Sequence, residues 1–239
     1  MPRTVDPERY AARRDTILET VERLVSTKGY DAMTIGDVLD DVGISKGAFY
    51  HYFGGKEELL GGLVARRIDR WATHVEGAAD EGGVPTERLR GMLRVLASAK
   101  SDDRELLVRA LPVLYGPQNA ALHVRVRRAA MERFLPVITR VIDDGARTGE
   151  FVVTSAPGTA RVVLSLLQEC VDTVSQHLLA LSTSRAREAG AGTEDLRRDA
   201  DAYVEALHAV LGAAPGALDF LDTADLDGWA RAAVRPPTP

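Results

Sequence analysis

Cysteine is almost absent: Cys170 is the only one in 239 residues. No internal disulfide can form, and a reducing compartment is the natural setting. Lysine is nearly as scarce, with Lys28, Lys46, Lys56 and Lys100 the only four among 30 Lys and Arg residues. Aromatic residues make up just 5%. No apolar run approaches the ~18 residues of a membrane-spanning helix. The opening MPRTVDPERYAARRD lacks an apolar core segment, so no signal peptide is expected and the cytoplasm is the expected location. Catalytic motifs are missing too. His51, His74, His123, His177 and His208 form no i, i+4 metal pair. There is no P-loop, dinucleotide fingerprint or Gly-x-Ser-x-Gly elbow. An enzyme is therefore not expected, and no catalytic residue, metal ligand or cofactor is assigned. The net charge of −5 excludes a uniformly basic surface but leaves room for a local basic patch.

What is present is helical periodicity, with no convincing period-2 run. In RRDTILETVERLVSTK, Ile17, Leu18, Val21, Leu24 and Val25 form one stripe, and Gly29 supplies a stop. Thr34 is an N-cap candidate with Asp37 three places on, and the helix it opens ends at Gly43. Ser45 caps a short third helix to Phe53, broken by Gly54-Gly55. A fourth helix starts near Lys56 with Glu57 and Glu58 in its first turn, where the helix dipole favours acids. Further helices are expected at about 86–100, 103–114, 119–148, 158–184 and 194–212, with a short one near 224–233. The turn AREAGAG at 186–192 separates two of them, and RPPTP at the end is expected to be disordered.

The stretch SKGAFYHYFGGKEELL gathers Phe49, Tyr50, His51, Tyr52 and Phe53 in succession. On a helix turning about 100° per residue, Lys46, Gly47, Tyr50 and His51 share one side, and Ala48, Phe49, Tyr52 and Phe53 the other. The second group can pack on the two preceding helices. The first is left pointing outward. Two helices joined by a tight turn, the second short and polar on its outer face, make a helix-turn-helix suited to the major groove of DNA. Tyr50, Lys56 and the helix start at Thr34 could hold phosphates. Arg3, Arg9, Arg13 and Arg14 could form a basic arm. A short core helix in an ordinary helical protein is the competing reading of the same geometry.

Residues 12–60 strongly resemble the DNA-binding domain of the tetracycline-repressor (TetR) family of transcriptional regulators. The run that carries the resemblance is TIGDVLDDVGISKGAFYHYFGGKEELL, from Thr34 to Leu60. It implies base-facing roles for Lys46, Gly47, Ala48 and His51, with Ser45 in the same DNA-facing set. It implies phosphate contacts for Thr34, Tyr50, Tyr52 and Lys56. For Tyr52 the helical wheel says core-facing, so the two readings differ. Gly55 departs from the family, which often has a better N-cap there.

The expected fold is all-α: an N-terminal three-helix helix-turn-helix domain over 1–58, a larger helical ligand-binding and dimerisation domain over 59–214, and a C-terminal extension over 215–239. The resemblance implies a homodimer on a palindromic double-stranded DNA operator, through two late helices. Leu164, Leu167, Val171, Val174 and Leu178 lie close to a heptad seam, and Tyr203, Leu207, Val210 and Leu211 are their counterparts. Both faces could equally be intrachain core. A pocket for a small-molecule effector is expected, with Trp71, His74, Met92, Leu96, Leu111, Tyr115, Phe134, Gln168, Glu169 and Asp172 as candidates. A buried Gln168 or Asp172 needs a partner, which a ligand or second subunit could supply. The arginines of 104–147 suit an anionic ligand or, alternatively, solvated faces paired with acids. Gly61-Gly62 is either a soft point in the fourth helix or a place of close packing. The expected function is a ligand-responsive repressor with no membrane partner. The alternatives are a relative controlled by a protein partner without a small inducer, or an activator.

Overall fold

The structure is a computed structural model describing residues 6–30, 32–182 and 193–234. Ten α-helices and one 3-10 turn form the regular structure of those residues, with no strand among them. In chain order they are α1 (Pro7–Lys28), α2 (Ile35–Val42), α3 (Lys46–Tyr52), α4 (Lys56–Asp80), α5 (Pro85–Asp102) and α6 (Arg104–Leu114). After the 3-10 turn Pro117–Asn119 come α7 (Ala120–Thr148), α8 (Ala156–Ser182), α9 (Thr193–Leu211) and α10 (Thr223–Val234). The all-α expectation holds. None of these helices is long and apolar enough to cross a membrane. The expected turn at 186–192, the tail RPPTP and Arg3 lie outside the described residues.

The chain divides into two compact units. The first takes in residues up to Arg67 together with Val113–Val126, and the second Ile68–Pro112 together with the chain from Arg127 onward. The core of the first unit is the stripe read from the sequence, Ile17, Leu18, Val21, Leu24 and Val25, joined by Val38, Phe49, Phe53, Leu59 and Leu60. Each such side chain contributes about 1.5–3 kcal/mol by leaving water. Helix α1 begins earlier than its apolar pattern. Asp6 caps it, accepting from the Glu8 N–H at 3.1 Å, and Pro7 takes the first helical position. Its first two turns are polar and carry no stripe, so the pattern alone gave no sign of them.

Gly61 and Gly62 are explained by packing inside the first unit. A Cβ on Gly62 would stand 2.9 Å from Leu18 Cδ2, and one on Gly61 3.0 Å from Leu122 Cδ1. Close approach by neighbouring side chains is reason enough for these positions to lack side chains.

In the second unit, α8 packs on α9 and on α10. Four positions of the expected dimer seam lie inside this packing. Leu164, Leu178, Leu207 and Leu211 are buried within the chain, where they form its own core and offer no surface to a partner. Val174 packs against the cluster Leu196, Ala200 and Leu226. Val171 remains exposed, Leu167 and Val210 partly so, and the Tyr203 hydroxyl lies 3.0 Å from Thr173 Oγ1. The expected extension contains α10, which is part of this unit. Leu226 fills the cluster, and Asp225 accepts from Ser101 Oγ at 2.7 Å and Arg104 Nη2 at 2.5 Å. Asp227 accepts from Arg197 Nη2 at 2.5 Å.

Candidate nucleic-acid interface

Two caps and one left-handed glycine fix the geometry of α2 and α3. Thr34 opens α2 with a reciprocal capping box. Its Oγ1 accepts from the Asp37 N–H at 3.1 Å, and its own N–H donates to Asp37 Oδ2 at 2.7 Å. Gly43 ends α2 in the αL region, φ 68° and ψ 45°, and its N–H donates to the Leu39 carbonyl at 2.9 Å. A side chain would be strained there. Two residues later Ser45 caps α3, its Oγ accepting from the Ala48 N–H at 3.2 Å. The chain therefore reverses tightly between two helices whose starts and stops are all chemically specified.

Helix α3 has two unlike sides, as its periodicity predicts. Phe49 and Phe53 are 0% and 1% exposed and root the helix in the core. Arg14 lies over the Phe53 ring, 4.7 Å from its centroid. On the other side Lys46, Gly47, Tyr50 and His51 are exposed, Tyr50 by 47%. Lys46 has no ion-pair partner among the described residues. A Cβ on Gly47 would meet nothing within 4 Å, so no packing demand explains this glycine. Ala48 is partly buried between the two sides.

Tyr52, where wheel and resemblance differ, is partly buried. Its ring lies 4.8 Å from that of Tyr10, so it packs on α1. Tyr10 also donates from its hydroxyl to the His51 carbonyl at 3.3 Å, which ties α1 to the C-terminal end of α3. Lys56 is steadied by Tyr30. Its Nζ lies 4.5 Å from the Tyr30 ring centroid, and the Tyr30 hydroxyl donates to its carbonyl at 3.2 Å. These roles for Tyr10 and Tyr30 are not legible in the local pattern, because the partners lie 41 and 26 residues away. The start of α4 is completed by Glu58, whose Oε2 accepts from the Gly54 N–H at 2.6 Å.

The electrostatics at the start of α2 include an acid as well as the helix dipole. Asp37 accepts from Thr34 and pairs with Lys28 Nζ at 2.6 Å. The Lys28 ammonium, and then the Thr34 N–H, hold the Asp37 carboxyl down at about 2. Thr34 thus spends its hydroxyl on the cap, donating to the Asp37 carboxylate at 2.8 Å.

The residues read as effector contacts fall in different settings. In the second unit Trp71, Met92, Leu111 and Phe134 are buried and Leu96 is partly buried. His74 is exposed on α4, away from that interior. Tyr115 belongs to the first unit, its ring 4.8 Å from that of His123. Gln168 Nε2 donates to the Arg127 carbonyl at 2.7 Å, Asp172 pairs with the Arg127 guanidinium, and Glu169 lies 3.6 Å from it. The partner expected from a ligand or second subunit is therefore an arginine of the same chain. Arg104, Arg127, Arg128, Arg133, Arg140 and Arg147 all pair with acids, which favours the bland reading of the arginine-rich stretch.

Comparison with known proteins agrees with this geometry. Residues 17–63 match the model of the bacterial regulatory proteins of the tetR family. The transcriptional repressor KstR2 of Mycobacterium tuberculosis is 32% identical over 81 residues, 34% of this chain and 40% of its own. The chain thus spans about two fifths of the length of the first curated relatives it matches. A tetR-family regulator from Pectobacterium atrosepticum shares the fold with TM-score 0.61 at 18% identity, over 86% of this chain and 97% of its own. RolR in complex with the ligand resorcinol does so with TM-score 0.61 at 17% identity, over 97% of each chain. At such identities the structural likeness concerns the fold alone, while the helix-turn-helix carries the sequence match. The helix-turn-helix within residues 17–63 is thus of the kind found in the tetR family of bacterial regulatory proteins.

Proposed function

We propose that this protein is a cytoplasmic transcriptional repressor that binds a palindromic DNA operator as a homodimer and is released by a small-molecule effector bound in its second unit. The carrying observation is α3: a helix rooted by Phe49 and Phe53 whose other side presents Lys46, Gly47, Tyr50 and His51 to the exterior. A short helix so presented fits the major groove with its N-terminal side chains at base edges. Lys46 and His51 supply donors for bases. Tyr50 and Lys56 supply phosphate contacts, which orient the domain without reading sequence.

A two-fold dimer places two recognition helices about 34 Å apart or a multiple of that spacing, which makes the operator a palindrome. The exposed Val162 and Val171 and the partly exposed Leu167 and Val210 belong to the apolar surface of α8 and α9 left for a subunit contact. Release needs an effector that binds the operator-incompetent dimer more tightly, by about 5.5 kcal/mol for a full reversal of populations.

Selection of bound sequences from a random DNA pool tests the reading. A palindrome with a fixed half-site spacing is expected. His51→Ala should relax base preference within each half-site. Recovery of no enriched sequence, or of unsymmetrical ones, would exclude the proposal.

A further inference from the structure

Among the acid-paired cations of the second unit, Lys100 stands apart. It lies in the last turn of α5 in a partly buried position. Among the described residues it has neither an ion-pair partner nor a hydrogen-bond acceptor for its ammonium. Two neutral groups lie near it. Its Nζ lies 5.7 Å from the centroid of the Trp71 ring on α4. Cys170 of α8 lies within electrostatic reach, and burial holds that thiol up at about 11, so it is protonated near neutral pH. Burial in turn pushes the Lys100 ammonium below its ordinary range. Asp103, one turn on, accepts from the Trp71 indole N–H at 3.2 Å.

A desolvated ammonium without a counter-charge is unfavourable, and an aromatic face compensates it only in part. Met92 and Leu96 precede Lys100 by two turns and one turn on the same side of α5. Lys100 therefore ends an apolar helix side next to an indole face. That is the layout of a site that takes a mostly apolar molecule by one charged group.

We infer that Lys100, with Trp71 and Cys170 beside it, is the anchor of the effector site, and that the effector is an organic anion with an apolar or aromatic body. The anionic group pairs with the Lys100 ammonium and the body lies against the Trp71 ring. This rests on the reading of the second unit as effector-binding and adds the effector's chemical class. Six of the eight arginines of 104–147 already hold acids and so do not supply the anchor.

The test uses two matched pairs of probes: anilinonaphthalene sulfonate against neutral N-phenyl-1-naphthylamine, and benzoate against benzamide. Binding to the full chain is followed by probe fluorescence for the first pair and by tryptophan quenching for the second. In at least one pair the anion should bind tenfold or more tighter than its neutral partner. Lys100→Met should remove that difference and leave the neutral probe's affinity unchanged, whereas Lys100→Arg should keep the preference. If Lys100→Met does not fold, Lys100→Gln is measured in its place. The inference is overturned if in both pairs the neutral probe binds as tightly as the anion, if neither anion binds saturably, or if neutralising Lys100 leaves anion affinity unchanged. Lys100→Met should still bind the selected operator. Failure of the wild-type chain to select DNA would overturn the regulator reading instead, and leaves the probe comparison intact as a separate result.

Discussion

A methyl group added at Gly62 would stand 2.9 Å from Leu18 Cδ2 and 3.2 Å from Phe53 Cε1, whereas one added at Gly47 would meet nothing within 4 Å. Gly62→Ala should therefore destabilise the protein by about 1–3 kcal/mol, because overpacking outweighs the gain in helix propensity. Gly47→Ala should be neutral or stabilising by up to about 1 kcal/mol, since only propensity changes. Urea denaturation distinguishes the two, and equal effects would contradict the packing described. Phe49→Ala should cost about 3–5 kcal/mol, as expected for a buried aromatic. The sequence marked all of these positions but could not say which glycine was crowded. That depends on Leu18 and Leu122, which approach from distant parts of the chain.

Helix starts were among the most legible features, since caps are local chemistry. Thr34, Ser45 and Gly43 act where the sequence placed them, and Ser45→Ala should cost about 0.5–2 kcal/mol. The exception is Asp6, whose helix begins with polar turns that carry no apolar period. Asp37 adds a pH dependence to α2. Its carboxyl titrates at about 2 in the folded chain against an ordinary 3.8, mainly through Lys28. The stability it contributes is thus complete above about pH 4 and disappears as pH falls towards 2. Asp37→Asn should flatten the acid limb of a thermal-stability profile between pH 4 and 2. An unchanged limb would show that the Lys28–Asp37 pair contributes nothing in solution.

For the whole molecule, the two halves of the sequence were unequally readable. The first unit combines short helices, specified turns and one clear stripe, and the outward-facing side chains of α3 followed from helical spacing. In the second unit, long helices are apolar on several sides, so periodicity could not separate intrachain core from subunit contact. Leu164, Leu178, Leu207 and Leu211 lie in that core because α8, α9 and α10 pack on one another. Leu226→Asp places a charge in the Leu196–Ala200 cluster and should make the second unit susceptible to limited proteolysis while operator-selective side chains stay intact. Lys56→Ala should weaken DNA binding at all sequences and reduce the slope of log affinity against log salt by about one unit. A slope that does not change would remove Lys56 from the phosphate contacts.

The outer side of α3 also has a consequence for divergence between gene copies. Lys46, Gly47 and His51 are exposed, while the residues that keep α3 folded are Phe49, Phe53 and the Ser45 cap. Under the DNA-reading role proposed for α3, substitutions that rewrite the preferred operator carry almost no folding penalty. After duplication, one copy of such a regulator can drift to a new set of promoters through stable intermediates, with the rest of the chain inherited unchanged.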